Sequence, residues 1–107
     1  MSAIDVLQDA KELVREGWSQ GAFARNSRGD PVGVMSAEAI YFDVSGAIAR
    51  AAYGWELTRG NASHAFQECI KESIPVWQDS VSLAEVLACF DETIATLRSR
   101  EEGYEFG

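Results

Sequence analysis

A single histidine, His64, and two cysteines, Cys69 and Cys89, occur in this chain. Ser-His-acid or Cys-His catalysis would therefore have to run through one imidazole, which weighs against an enzyme of that kind. There is no C-x-x-C pair, and one His with two separated Cys lacks the spacing of an ordinary zinc site, so no metal is expected. The glycines form neither a G-x-G-x-x-G fingerprint nor a P-loop, and no cofactor is expected. Convergent carboxylates are also missing. Asp91-Glu92 and Glu101-Glu102 are adjacent, so neither pair shares a helix face, and Glu68 and Glu72 with Lys71 beside them read as a solvated surface. No apolar run approaches the roughly 20 residues that cross a bilayer. The opening Met1-Ser-Ala-Ile-Asp5 lacks the basic and apolar regions of a signal peptide. A cytoplasmic location is expected, with no membrane partner. In that compartment Cys69 and Cys89 read as buried free thiols on helices, with a disulfide between facing helices as the alternative.

The chain does have apolar residues and acid in quantity. Its 107 residues are 47% hydrophobic, which fits one domain over residues 1–107. A chain of this length buries roughly 60–70% of the surface that its unfolded form exposes, enough for one core without metals or disulfides. The net charge is −8, unevenly spread: four acids and two bases in residues 1–21, four of each in 22–60, and nine acids against three bases in 61–107. Such a surface repels phosphate backbones and disfavours direct nucleic-acid binding. The neutral middle, with Arg25, Arg28, Arg50 and Arg59, is where an anionic group would be welcome.

Helical periodicity organises most of the sequence. Ile4, Leu7, Ala10, Leu13 and Val14 form one stripe over residues 3–16, with Ser2 as N-cap and Gly17 as stop. Residues 37–53 read as a second helix capped by Ser36, with Ile40, Val44, Ala47, Ile48 and Ala51 on one side and Phe42, Ala49 and Tyr53 on nearly the opposite one. A helix that is apolar on two sides is central in its domain, and Gly46 inside it implies close approach of a neighbouring backbone. A third helix is expected over 62–73 after Asn61 or Ser63, ended by Pro75. A short link through Trp77 follows. The last helix, 83–100, opens with the capping box Ser82-Leu-Ala-Glu85 and ends by Gly103, leaving a tail over 101–107. The expected fold is mainly α: a compact bundle of about four helices, with a short β-hairpin or ordered loop near 18–35 between the first and second.

The segment Trp18 to Val32 is the one stretch without amphipathic helical character. Residues 18–25 and 32–35 read as two short strands around the turn Asn26-Ser-Arg-Gly-Asp-Pro31. Trp18 and Gln20 share a face if the first strand forms, and Arg25 and Arg28 flank the turn. Trp18 and Trp77 border loops, where an indole either roofs the core or serves a binding face. Asp43 and Arg50 lie on one side of the second helix beside Gly46. They either pair with loop groups or solvent, or line a polar pocket in which Arg50 holds a carboxylate or phosphate.

The pattern Trp18-x-Gln20-Gly21-x-x-Ala24-Arg25, then Gly29-x-Pro31-Val32, then Gly46-Ala47-Ile48, resembles a family of short bacterial and bacteriophage proteins built on a domain of unknown function. The likeness covers roughly residues 15–97 and is most specific at its start. The chain departs from that pattern at Asn26, where Asp is usual, at Asp43, where Cys is common, and at Gln78-Asp79, where Asn-Asp is common. These departures argue against a catalytic Cys or Asp at those positions. The resemblance implies single-domain order and carries no activity.

The function expected first is that of a non-enzymatic protein-binding or adaptor domain, its partner another protein. Its surface would be the 18–32 segment with Trp18, Gln20, Arg25 and Arg28, joined by Trp77 and Asp79. A second expectation is an acidic inhibitor from a phage or mobile element that occupies a nucleic-acid-binding site. A third is a small-ligand pocket near Asp43, Gly46 and Arg50. An exposed aromatic patch on so small a bundle would also suit a homodimer.

Overall fold

A computed structural model describes residues 1–106, with side chains as far as Glu101. Five helices and one short two-stranded sheet make up the fold, in the order α1 (Ala3–Glu16), β1 (Ala24–Arg25), β2 (Tyr41–Phe42), α2 (Val44–Ala51), α3 (Glu56–Ile70), α4 (Ile74–Gln78) and α5 (Leu83–Phe106). None of these helices is long and apolar enough to cross a membrane.

α1 forms where its periodicity places it. Ser2 caps it, accepting from the Asp5 N–H while the Asp5 side chain accepts from the Ser2 N–H. Its stripe of Val6, Leu7, Ala10 and Val14 is fully buried against α2, α3 and α5. Gly17 ends the helix in extended backbone, and a side chain is excluded at this position because a Cβ would overlap the Ile40 carbonyl. The other helices each send a few large side chains to the same core: Val44 and Ile48 from α2, Phe66 from α3, Ile74 from α4, Val86 and Phe90 from α5. Phe66 sets its ring edge-on to both Phe90 (4.9 Å) and Trp77 (5.5 Å).

The hairpin is built differently from the expectation. β1 pairs antiparallel with β2 at 41–42, Ala24 opposite Phe42 and Arg25 opposite Tyr41, instead of with residues 32–35. Residues 32–35 pair with β1 only at their start, by the Val32 N–H to Ala24 O bond (3.0 Å) next to the Arg25–Pro31 bridge. The second helix is correspondingly shorter. Residues 37–40 are turn and coil, 41–42 are strand, and α2 begins at Val44 with Asp43 as its cap in place of Ser36. Backbone pairing of Ile40 N–H with Arg25 O (3.0 Å) and of Phe42 N–H with Gly17 O (2.9 Å) outweighs the helical pattern there.

Three further boundaries shift. α3 starts at Glu56, with Trp55 at its cap position and no side-chain cap bond, so the Asn and Ser read as starts lie inside it. It ends at Lys71 in left-handed conformation (φ 61°). Pro75 sits in the first turn of α4, where its missing N–H costs nothing, and the expected link through Trp77 is therefore helical. α5 runs through Gly103 to Phe106, so the backbone of 101–106 is helix and not tail.

The close approach implied by Gly46 is present. A Cβ on Gly46 would overlap the carbonyl group and Cα of Phe23, which lie directly on α2. A Gly46→Ala substitution should therefore destabilise the protein by about 3 kcal/mol or more despite the ~1 kcal/mol that Ala gains in helix propensity. Urea unfolding of the two proteins checks this; an unchanged or raised midpoint would show that the segment can retreat.

Candidate functional site

The segment after α1 is held to the start of α2 by a small buried polar network. Asp43, 3% exposed, accepts from the Gly46 N–H at Oδ1 (2.6 Å) and from Gln78 Nε2 at Oδ2 (3.1 Å). Gln78, 4% exposed, also accepts the Val44 N–H at Oε1 (2.9 Å), and its backbone carbonyl accepts from Gln20 Nε2 (2.7 Å). One side chain from α4 thus satisfies an orphan donor in the first turn of α2 and fixes the carboxylate that satisfies another. Burial pushes the Asp43 carboxyl above the ordinary range; the bonds from Gly46 and Gln78 oppose this shift and the nearby Asp79 charge adds to it.

Gln20, Asp43 and Asp79 are therefore neighbours, as a shared site requires. Asp43, with Pro75, Gln78 and Asp79 at α4 and Gly21, Ala22 and Phe23 from the segment after α1, lines an open cleft of about 320 Å³. Arg25 and Arg28 belong to a separate feature, the 26–30 turn. There the buried Asn26 accepts the Arg28 and Asp30 N–H groups at its Oδ1 (both 3.0 Å). Arg25 closes the turn from behind, donating from Nε to Ser19 Oγ (3.1 Å), from Nη1 to Gly29 O (2.8 Å) and from Nη2 to Gln20 O (3.3 Å). Arg28 is exposed beside Asp30, 3.5 Å away.

Arg50 lies apart from both. Its Nη1 donates to Val34 O (2.8 Å) and Ser36 O (3.1 Å), and its guanidinium sits 5.3 Å from the centre of the Phe42 ring. It thereby secures the loop between the two strands. Trp18 and Trp77 are half-buried and pack on the core. His64 is exposed on α3, its Nε2 2.6 Å from Glu68 Oε1. Among the described residues no three His, Cys, Asp or Glu side chains converge as metal ligands.

Sequence reasoning missed Phe23. Its main chain is among the most constrained points in the fold, its carbonyl resting on Gly46 and accepting from the Asp43 N–H (3.3 Å), yet its ring is 62% exposed. It forms the ridge between the Asp43–Gln78 cleft and a second groove of about 470 Å³ floored by the small residues Ser45, Ala49, Gly60 and Ser63, with Val34 at one side. The second apolar side of α2 pointed this way, since Ala49 faces this groove and not the core. In the structure, alternation along the strand accounts for the exposed ring, since the fully buried Ala24 next in sequence sends its neighbour outward.

Two substitutions test this account. In Asp43→Asn the new amide sets one buried donor against the Gln78 amide, and turning Gln78 over would strand the Val44 N–H. The expected loss is about 1–3 kcal/mol by urea unfolding at pH 7. The wild-type protein, compared with this variant, should also carry an extra pH dependence. Because the folded Asp43 value lies above the unfolded one, the folded state holds that proton more tightly. This contribution is complete below the ordinary carboxylate value and is lost as pH rises through the raised one. Parallel pH–stability curves for the two proteins would contradict it. Arg50→Lys cannot reproduce the two-carbonyl grip and should lower the unfolding temperature by several degrees, a loss of about 1 kcal/mol.

No curated protein and no solved structure matches the chain. A family profile does match, over residues 1–96, and the chain belongs to that family, a family of unknown function, DUF6197.

Proposed function

We propose that the chain is a protein-binding domain whose docking face is centred on Phe23. The observation that carries this reading is a large aromatic ring exposed on a backbone seated directly on Gly46, with a depression on either side. A rigid aromatic anchor gives up little freedom on binding, and such residues dominate the energy of protein interfaces. The small residues beside it let a partner backbone come close, and Tyr53, Trp55 and Leu57 are exposed from the α2–α3 connection to the start of α3. An apolar strip with small-residue flooring suits the face of an amphipathic helix laid in a groove. Arg59, paired with Glu56 at 2.9 Å, borders this groove and would meet the polar edge of such a helix.

In this reading Arg25 and Arg50 act indirectly. They hold the loops that shape the face, while Asp79 supplies exposed charge in the cleft beside Phe23 and Arg28 stays on the separate 26–30 turn. The acidic α5, with Glu85, Asp91 and Glu92, is set apart from the anchor and serves to keep the protein soluble.

The reading is tested by removing the ring alone. Phe23→Ala should leave the unfolding temperature within about 2 °C, because an exposed side chain contributes little to folding. It should lower partner recovery from a native-host lysate about tenfold or more, as loss of an interface anchor does. Recovery equal to wild type would remove this face from consideration.

A further inference from the structure

The two cysteines come together without any role in the network or the grooves above. Cys69 lies near the end of α3 and Cys89 in the second turn of α5, helices that pack side by side. Both are free and half-buried. Cys69 forms part of the wall of a cavity of about 220 Å³ between these helices, next to Thr93. Thr93 is one turn beyond Cys89, and its hydroxyl donates to the Cys89 carbonyl (2.7 Å). Cys89 and Thr93, four residues apart, share the face of α5 on which Thr93 meets Cys69 at the cavity wall, which sets the two cysteines on the same α3–α5 seam.

We propose that Cys69 and Cys89 are a paired oxidation site, forming a reversible disulfide between α3 and α5 by exchange with a small-molecule disulfide of the glutathione type. In the first step one thiolate attacks the small disulfide, forming a mixed disulfide and releasing one small thiol. The second protein thiolate then attacks the protein sulfur of that mixed disulfide, closing the Cys69–Cys89 bond and releasing the second small thiol. The protein loses two protons and two electrons, and the small disulfide takes up both to become two thiols.

The environment favours a slow site over a fast sensor. Burial, the neighbouring Cys69 and the charges of Glu92 and Glu85 push the Cys89 thiol up to about 11, and burial pushes Cys69 up as well, with Glu92 adding and Thr93 opposing. Lys71 and Arg100 line the same cavity, yet both thiols remain raised. Few thiolates are present to react with peroxides or electrophiles, whereas exchange proceeds given time. The closed loop would contain all of α4, including Gln78. Oxidation would thus fasten the element that holds Asp43 and the start of α2.

The test uses the full chain, reduced, then held at pH 8 in excess glutathione disulfide, acid-quenched and alkylated. The expected product is lighter by two hydrogens, carries no glutathione, and takes up no alkylating reagent. Trypsin without reductant should yield residues 60–71 joined to residues 72–98, since cleavage follows Arg59, Lys71 and Arg98. The unfolding temperature should rise by roughly 10 °C and fall back with dithiothreitol, as closing a loop of this length predicts. Formation should quicken about tenfold per pH unit between 7 and 9, because the thiolate is the attacking species. Cys89→Ser should show neither the link nor the thermal shift. Full alkylation of both thiols, glutathione adducts alone, or disulfide-linked dimers would each overturn the proposal, and the peptide readout on the wild-type chain decides it even if the variant fails to fold.

Discussion

The contact between the Phe23 backbone and the bare backbone of Gly46 is the constraint on which this face of the protein depends. Only a residue without a side chain lets an extended segment lie directly on a helix. Given that contact, Ala24 reaches the core, β1 reaches β2, and the Phe23 carbonyl meets the Asp43 N–H. Gly17 repeats the device at the end of α1, where Ile40 O takes the space of a Cβ. Two positions with no side chain thus set the path of nearly thirty residues that have little regular structure of their own.

Polar groups complete what the close contacts begin. A loop lying on a core must satisfy its backbone donors and acceptors, and water cannot do this beneath it. Here the work falls to long side chains that reach back: Arg25 to Gly29 and Gln20, Arg50 to Val34 and Ser36, Gln78 to Val44. No buried side-chain nitrogen or oxygen among the described residues is left without a partner. Asn26, Asp43 and Gln78 are all buried members of these networks, and satisfaction of hydrogen bonds accounts for their polar side chains there.

Elements whose stability is local were legible in the sequence. α1 has an apolar stripe, a Ser2 cap and a Gly17 stop, and it forms where they place it. The close approach at Gly46 was legible too, because a helical glycine needs a reason. Elements decided by distant partners were not. Ala37, Glu38, Ala39 and Ile40 suit a helix, but pairing with Arg25 and Gly17 draws the chain beyond them into a strand. α3 begins at Trp55 without a side-chain cap, so cap residues further along misplace its start. Pro75 reads equally well as the end of one helix or the first turn of the next, and the left-handed Lys71 that separates them carries no sequence signal. The exposure of Phe23 was hidden for the same reason. It follows from which residue of a two-residue strand faces inward, and only the paired structure decides that.

The position of Gln78 in the chain has a consequence for biosynthesis. The first turn of α2 needs a partner that lies 34 residues further on. While the chain is being made, Val44 and Asp43 emerge long before α4 does, and α2 must wait with an incomplete start. The segment after α1, which rests on α2, waits with it. The polar network that ties the segment after α1 to the start of α2 is therefore complete only once α4 has been synthesised.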